Sequence, residues 1–269
     1  VFVDINRDFF TIDTSKIEEK INEKTKAIIP VHIYGQPANM ENIKQLAAKY
    51  NLKIIEDCAQ AHFAKWKEDL VGTIGDAGTF SFFPGKNLGA YGDAGAIITN
   101  DDELALKMRM FANHGALKKH EHKIEGINSR MDGMQAAILT AKLKHIKNWT
   151  SARISIANKY LDLLSDAPNV VLPETRFETK HVFHLFVIRI NERELMQKHL
   201  EDNHISTSIH YPTPLPFLKA YDYLGYKEED LPVVSGFKNK ILSIPIFPEL
   251  TSEQINFIVN KILEASTRL

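Results

Sequence analysis

Lys86 is the residue whose surroundings most clearly ask for a chemical role. It stands in the loop Phe83-Pro84-Gly85-Lys86-Asn87-Leu88-Gly89-Ala90-Tyr91-Gly92-Asp93-Ala94-Gly95. Four glycines and one proline there release or fix the backbone, as a chain does where it turns tightly or lets a large group approach. The nearest acid along the chain is Asp93. A lysine that is desolvated and flanked by backbone donors has a lowered pKa, and its free amine can attack a carbonyl to form a Schiff base. A solvated loop lysine is the ordinary alternative. A nucleotide-binding phosphate loop fails on spacing: position 80 is Phe rather than Gly, and Asn87 stands where a magnesium-binding Ser or Thr is needed.

Three other residues could serve such a lysine. Asp57 closes the apolar run Ile54-Ile55-Glu56-Asp57, so it sits where a strand end can face a ligand. Position alone leaves open that it only caps a turn. Ser81 precedes the lysine loop on a strand, with a hydroxyl able to donate to a phosphate. Gln60 follows Asp57 by three residues, and one helical turn would place both on one face.

Alternating strands and helices must position these groups. Strands are expected at 27–31, 53–57, 79–83 and 95–99, with helices at Met40–Tyr50 (Asn39 as N-cap) and from about Asn100 to Phe111. That order predicts an α/β fold with a mostly parallel sheet covered by helices, and ligands gathered at the carboxyl ends of its strands. Further helices are expected at 131–141 and 149–164. Beyond Pro168 the pattern changes to strands at 182–188 and 206–210 and helices at 193–203 and 252–264, the last capped by Thr251. This predicts a smaller α+β domain over 151–269 behind a large domain over 1–150. Val1-Phe2-Val3-Asp4 reads as a buried strand ending in an acid rather than as a chain opening, and a preceding segment is expected.

Composition narrows the function classes. The 269 residues are 44% hydrophobic and 25% charged, with a net charge of -1. No global field recruits nucleic acid or an acidic membrane. Cys58 is the one cysteine, which suits a reducing, cytosolic setting without disulfides. No apolar run is long enough to span a bilayer. No metal centre is expected.

Taken together, Glu56-Asp57-Cys58-Ala59-Gln60-Ala61-His62, Ser81-Phe82-Phe83-Pro84-Gly85-Lys86-Asn87-Leu88-Gly89, Asn128-Ser129-Arg130-Met131-Asp132 and Gln135-Ala136-Ala137 resemble the DegT/DnrJ/EryC1/StrS aminotransferases. Ile209-His210-Tyr211-Pro212-Thr213-Pro214-Leu215 and Leu242-Ser243-Ile244-Pro245-Ile246-Phe247-Pro248 extend the resemblance over essentially the whole chain. It implies a fold-type I enzyme that uses pyridoxal 5'-phosphate to aminate nucleotide-linked keto-sugars. Lys86 would form the Schiff base and move the proton, Asp57 would pair with the pyridine nitrogen, Gln60 would lie against the ring and its 3' oxygen, and Ser81 would bind the phosphate. Asn128 would reach across a homodimer interface to the neighbour's phosphate. Arg130, His210 and Tyr211 would line the sugar-nucleotide pocket, although the residues alone allow a helix N-terminus at 128–130 and a satisfied strand-end histidine at 210.

The runs His181 to Arg189 and Tyr211 to Leu215 look most like dTDP-3-amino-3,6-dideoxyhexose transaminases, whose amino donor is usually L-glutamate. A related sugar dehydratase would carry histidine at the lysine position, and a truncated homologue without catalysis is the third alternative. The sequence departs from the family at Phe63, where glycine is usual, and at Pro216-Phe217, where His-Leu often follows. The family also has a segment before the position of Val1, with a helix, a strand and a glycine turn at the phosphate.

Overall fold

A computed structural model of the chain describes residues 1–268. Its central sheet runs β1 (Ala27–Ile28), β2 (Lys53–Asp57), β5 (Ala77–Ser81) and β6 (Gly95–Ile98) in that spatial order. The first three strands are parallel, with Ile54 beside Ile28 and Asp57 beside Thr79. β6 returns antiparallel to β5 and sets Gly95 opposite Ser81. The expected α/β sheet is therefore present, with one antiparallel edge. β3 (Lys65–Trp66), β4 (Asp69–Leu70) and β10 (Thr179–Lys180) form a small separate sheet, and β7 (Ala116–Lys118) with β8 (Glu121–His122) forms a hairpin.

Local chemistry explains the helices. In α1 (Met40–Tyr50), the Asn39 side chain accepts from the Asn42 N–H, while Met40, Ile43 and Ala47 form the buried stripe. α2 (Asp102–Phe111) is capped by Asp101, whose carboxylate accepts from Leu104 N–H. α3 (Gly133–Leu143) and α4 (Ile146–Leu163) follow in close succession. Ile156, Ala157 and Tyr160 of α4 are buried with Leu164 in one core, against β11 (Phe186–Ile190), α5 (Arg193–Asp202), β12 (Ile241–Ile244) and α7 (Ser252–Ser266). There β11 is the middle strand between β12 and β9 (Val170–Val171), both antiparallel to it. Thr251 and Gln254 cap α7 reciprocally. A second core joins Ile17, Ile28, Met40, Ile43 and Ile54.

Three expected strands are corrected. Val1–Asp4 is not a strand; Asp4 is instead a buried acceptor for the Val233 and Val234 N–H groups at the start of α6 (Pro232–Phe237). Residues 206–210 contribute only a single bridge, Ser208 to Ser243, because the segment lies beside β12 without extending its ladder. The strand expected from Val182 begins at Phe186; Phe183, with φ 43°, breaks the extended run. Among the described residues, no helix is long and apolar enough to cross a membrane.

Candidate active site

The lysine loop hangs from the ends of β5 and β6. Phe82 donates to Ala94 O (2.8 Å) and Ala90 to Phe82 O (2.7 Å), which closes its base, and Lys86 N donates to Phe83 O (2.9 Å), which turns its tip. Gly89 is required by this closure, since a Cβ there would lie 2.3 Å from the Pro84 carbonyl oxygen. The Lys86 side chain is partly buried. Burial lowers its pKa, and the Asp57 carboxylate opposes that shift. Lys86 and Asp57 are thus electrostatic neighbours although 29 residues apart in sequence.

Asp57 ends β2, and its Oδ1 accepts from Ala59 N–H at 3.0 Å, so the turn-capping role is real. Oδ2 has no hydrogen-bond partner among the described residues. Ser81, at the end of β5, uses its oxygen to accept from Phe83 N–H (3.3 Å), which leaves the hydroxyl proton available for donation.

Gln60 does not share a helical face with Asp57, because residues 58–63 are turns. Its buried amide bridges two other segments: Oε1 accepts from Tyr34 N–H (2.5 Å) and Nε2 donates to the Tyr211 hydroxyl (3.1 Å). The Tyr34 hydroxyl in turn donates to the His210 carbonyl. His210 also pairs its Nδ1 with the Ser243 hydroxyl at 2.8 Å. Burial lowers the His210 pKa, with a smaller contribution from Lys86. Asp57, Gln60, Lys86, His210 and Tyr211 thus belong to one connected neighbourhood.

Among the described residues, Asn128 and Arg130 make no hydrogen bond to it. Both are exposed. Asn128 bridges Asn113, and Arg130 donates to the Asn113 side chain at 2.6 Å. They precede α3 as expected of a helix entry, and Asp132 is its N-cap residue without a side-chain cap bond.

Two histidines near Lys86 carry no role in the sequence reading. His62 is buried between Phe80 and Phe82, with both ring nitrogens lacking partners. Burial, then the charge of Lys86, lowers its pKa to about 4. His184 is bonded to Asn87, and burial followed by Lys86 holds its pKa well below the usual imidazole range. The lone signal in the sequence was proximity of each to an already suspect run, which does not separate a site histidine from a core one. A third group, His32, Glu56 and Cys58, brings ligand-type atoms within 4.8 Å of one another. Both nitrogens of His32 and both oxygens of Glu56 are already hydrogen-bonded, so this cluster is a structural knot.

The donor set suits pyridoxal phosphate: a desolvated lysine amine, a carboxylate with one open oxygen, a hydroxyl with its proton free, and an amide with an unused N–H. Residues 1–263 match the model of the DegT/DnrJ/EryC1/StrS aminotransferase family, and the chain belongs to that family. It is 48% identical over 266 residues to a protein of Geobacillus stearothermophilus named pleiotropic regulatory protein, covering 98% of this chain and 72% of that one. It is 45% identical over 262 residues to the dTDP-3-amino-3,6-dideoxy-alpha-D-galactopyranose transaminase of Aneurinibacillus thermoaerophilus, covering 97% and 71%. The crystal structure of S. venezuelae DesV in complex with a ketimine intermediate superposes with a TM-score of 0.97 at 39% identity, over 100% of this chain and 72% of that one. These likenesses bear out the fold-type I α/β reading.

Proposed function

We propose that the protein transfers an amino group from L-glutamate to a nucleotide-linked keto-sugar, with a dTDP-3-keto-6-deoxyhexose as the acceptor and pyridoxal phosphate as the cofactor. The observation that carries this reading is the Lys86 amine, partly desolvated at the tip of a closed glycine loop, with Asp57 at the carboxyl end of β2 opposing the shift. The transaminase name and substrate of the A. thermoaerophilus relative support the choice of sugar.

When bound, pyridoxal phosphate supplies an aldehyde for amines and a ring that accepts electrons. The chain's residues would do the rest. Lys86 Nζ is the attacking amine and afterwards holds the proton delivered to the sugar carbon, a task suited to an amine whose pKa burial has lowered. The Asp57 carboxylate would keep the ring nitrogen protonated, and Ser81 would donate to the phosphate. Gln60, fixed by Tyr34 and Tyr211, would hold the ring. His210 and Tyr211 would bind the sugar nucleotide.

Asn128 acts from a second copy of the chain in a homodimer with shared sites, and Arg130 lines the sugar-nucleotide pocket. The exposure of Asn128 supports this assignment, as do exposed Phe83, Tyr91, Ile97, Phe111, Ile127 and Met134. Residues 1–150 would carry the cofactor, and 151–269 would form the smaller domain.

Lys86→Ala tests the reading. Visible absorbance of the bound cofactor and glutamate-dependent amination should both disappear, and survival of both would overturn it.

A further inference from the structure

The lysine loop is docked on one face of α3. Gln135, Leu139 and Lys142 follow one another at spacings of four and three residues, so they line one side of that helix. Leu139 makes the apolar contact: it is buried with Leu88 and Ala90 of the loop and Ile146 of α4. A polar contact to the loop backbone lies on each side of it. Gln135 Oε1 accepts from Tyr91 N–H at 2.8 Å. A Cβ on Gly92 would come within 3.1 Å of Gln135 Nε2, so the same amide lies close against residue 92. Lys142 Nζ donates to the Gly89 carbonyl oxygen at 2.5 Å and lies 5.4 Å from the centre of the Tyr91 ring.

Lys142 is half-buried and directs its ammonium to a backbone carbonyl and an aromatic face rather than to a carboxylate. A charged donor makes that bond stronger than a neutral one would. Gly89 is the residue whose close approach to the Pro84 carbonyl shuts the loop, so holding its carbonyl holds the turn that carries Lys86. The other flank is fixed as well. Asn87 donates from Nδ2 to the Val182 carbonyl (3.4 Å), and its Oδ1 lies 3.1 Å from Nδ1 of His184. Lys86 therefore stands between two tethered neighbours, while its own N–H bonds only within the loop, to Phe83 O.

We propose that Gln135 and Lys142 are positioning residues for the reactive lysine: together they strap residues 89–91 to α3 and hold the loop tip in the closed form that keeps the Lys86 amine partly buried. The proposal rests on reading Lys86 as that lysine. Burial lowers the pKa of Lys86, so releasing the strap returns the amine to water and raises it toward the ordinary 10.5. The titratable groups whose charge acts with that of Lys86 are Asp57, His62, His184 and His210. Lys142 is not one of them, so its influence passes through the Gly89 carbonyl that it holds.

The test is the pH midpoint for acylation of Lys86 in the purified chain, read by peptide mass spectrometry, with circular dichroism as the check on folding. Lys142→Met and Gln135→Leu should each raise the midpoint, and Lys142→Arg, which keeps a charged donor, should restore it. Trypsin cuts after lysine, so cleavage of the folded chain between Lys86 and Asn87 should be several-fold faster in the first two variants. Gln135→Leu changes no charge, and it decides alone should Lys142→Met fail to fold. An unchanged midpoint in either folded variant overturns the strap, as does an equal rise in Lys144→Met at the exposed end of the same helix. No cofactor or turnover enters the measurement, so its failure is distinct from a failure of the Lys86 assignment, which Lys86→Ala reads.

Discussion

Glu56 Oε2 lies 3.0 Å from Nε2 of His32, with both side chains wholly buried. The pair is a structural anchor one residue before Asp57. His32 Nδ1 accepts from Ala38 N–H, so the proton it shares with Glu56 is on Nε2. The carboxylate also accepts from the N–H groups of Gly72 (2.8 Å), Ile74 (2.8 Å) and Gly75 (2.7 Å), clasping the 72–75 turn to β2. Burial by itself would raise the Glu56 pKa; the His32 bond and the Gly72 and Gly75 amides outweigh it and leave the value lowered. Because the folded pKa is depressed, the contribution to stability is present above the unfolded value of 4.5 and is lost as pH falls through the lower folded value. Glu56→Ala leaves four N–H donors, two buried and two half-buried, without that acceptor and should cost roughly 3–5 kcal/mol. Urea denaturation at neutral pH measures the loss, which should shrink in acid.

A second acid-sensitive contribution comes from buried histidines. Burial lowers His62 to about 4, with help from Lys86, and lowers His181 to about 3. In the unfolded chain both titrate near 6.5, so below that pH the unfolded state binds protons the folded state refuses. Stability should fall from about pH 6.5 toward about pH 4, by up to about 1.4 kcal/mol per pH unit for each fully differing proton. The prediction is a shallower slope for His62→Phe in the same window. Denaturant midpoints at several pH values decide it; an unchanged slope would show that His62 takes up its proton in the folded state.

Asp57 accepts from Ala59 N–H, and the proposed function gives it a separable second duty toward the cofactor. Asn at position 57 can still accept from Ala59 N–H, so Asp57→Asn should fold with an unaltered circular dichroism spectrum. It has no charge to oppose the burial of Lys86 or to hold a ring proton. Amination should drop by on the order of 10²-fold, and the pH midpoint for acylation of Lys86, read by peptide mass spectrometry, should fall. A variant that keeps full turnover would remove Asp57 from the chemistry.

Much of this was legible in the sequence where one local rule decides an element. Asn39 and the 3.6-residue stripe of Met40, Ile43 and Ala47 define α1, and Lys53 to Asp57 is a strand as read. The places of Asp57 and Ser81 at strand ends and of Lys86 in a closed glycine loop were legible because strand ends and glycine loops announce themselves. Gln60 was found for an incorrect local reason: the expected helical turn is absent, and the residue is placed by Tyr34 and Tyr211, which are 26 and 151 residues away. The hydrogen bond between Asn87 and His184 spans 97 residues, and no periodicity reports such a contact. Phe63 stood out only as a departure from glycine; it adopts φ 63°, the backbone glycine favours, and packs toward the cluster of Leu88, Ala90 and Leu139. Val182 to Leu185 looked like strand by composition, but Phe183 turns the chain so that His184 can reach Asn87.

Asp4 accepts from the Val233 and Val234 N–H groups, and Phe2 N–H donates to the Tyr226 hydroxyl at 2.8 Å. These bonds close a circuit through almost the entire polypeptide. The early residues are fastened to the later half of the chain, beside the bonds that Tyr34, Gln60 and Asn87 make to the segments at 182–184 and 210–211. A nick between α3 and α4 would cut the backbone and leave all of these in place. The two pieces would then recognise each other through preformed complementary donors and acceptors, making this chain a natural starting point for a split protein reassembled by mixing.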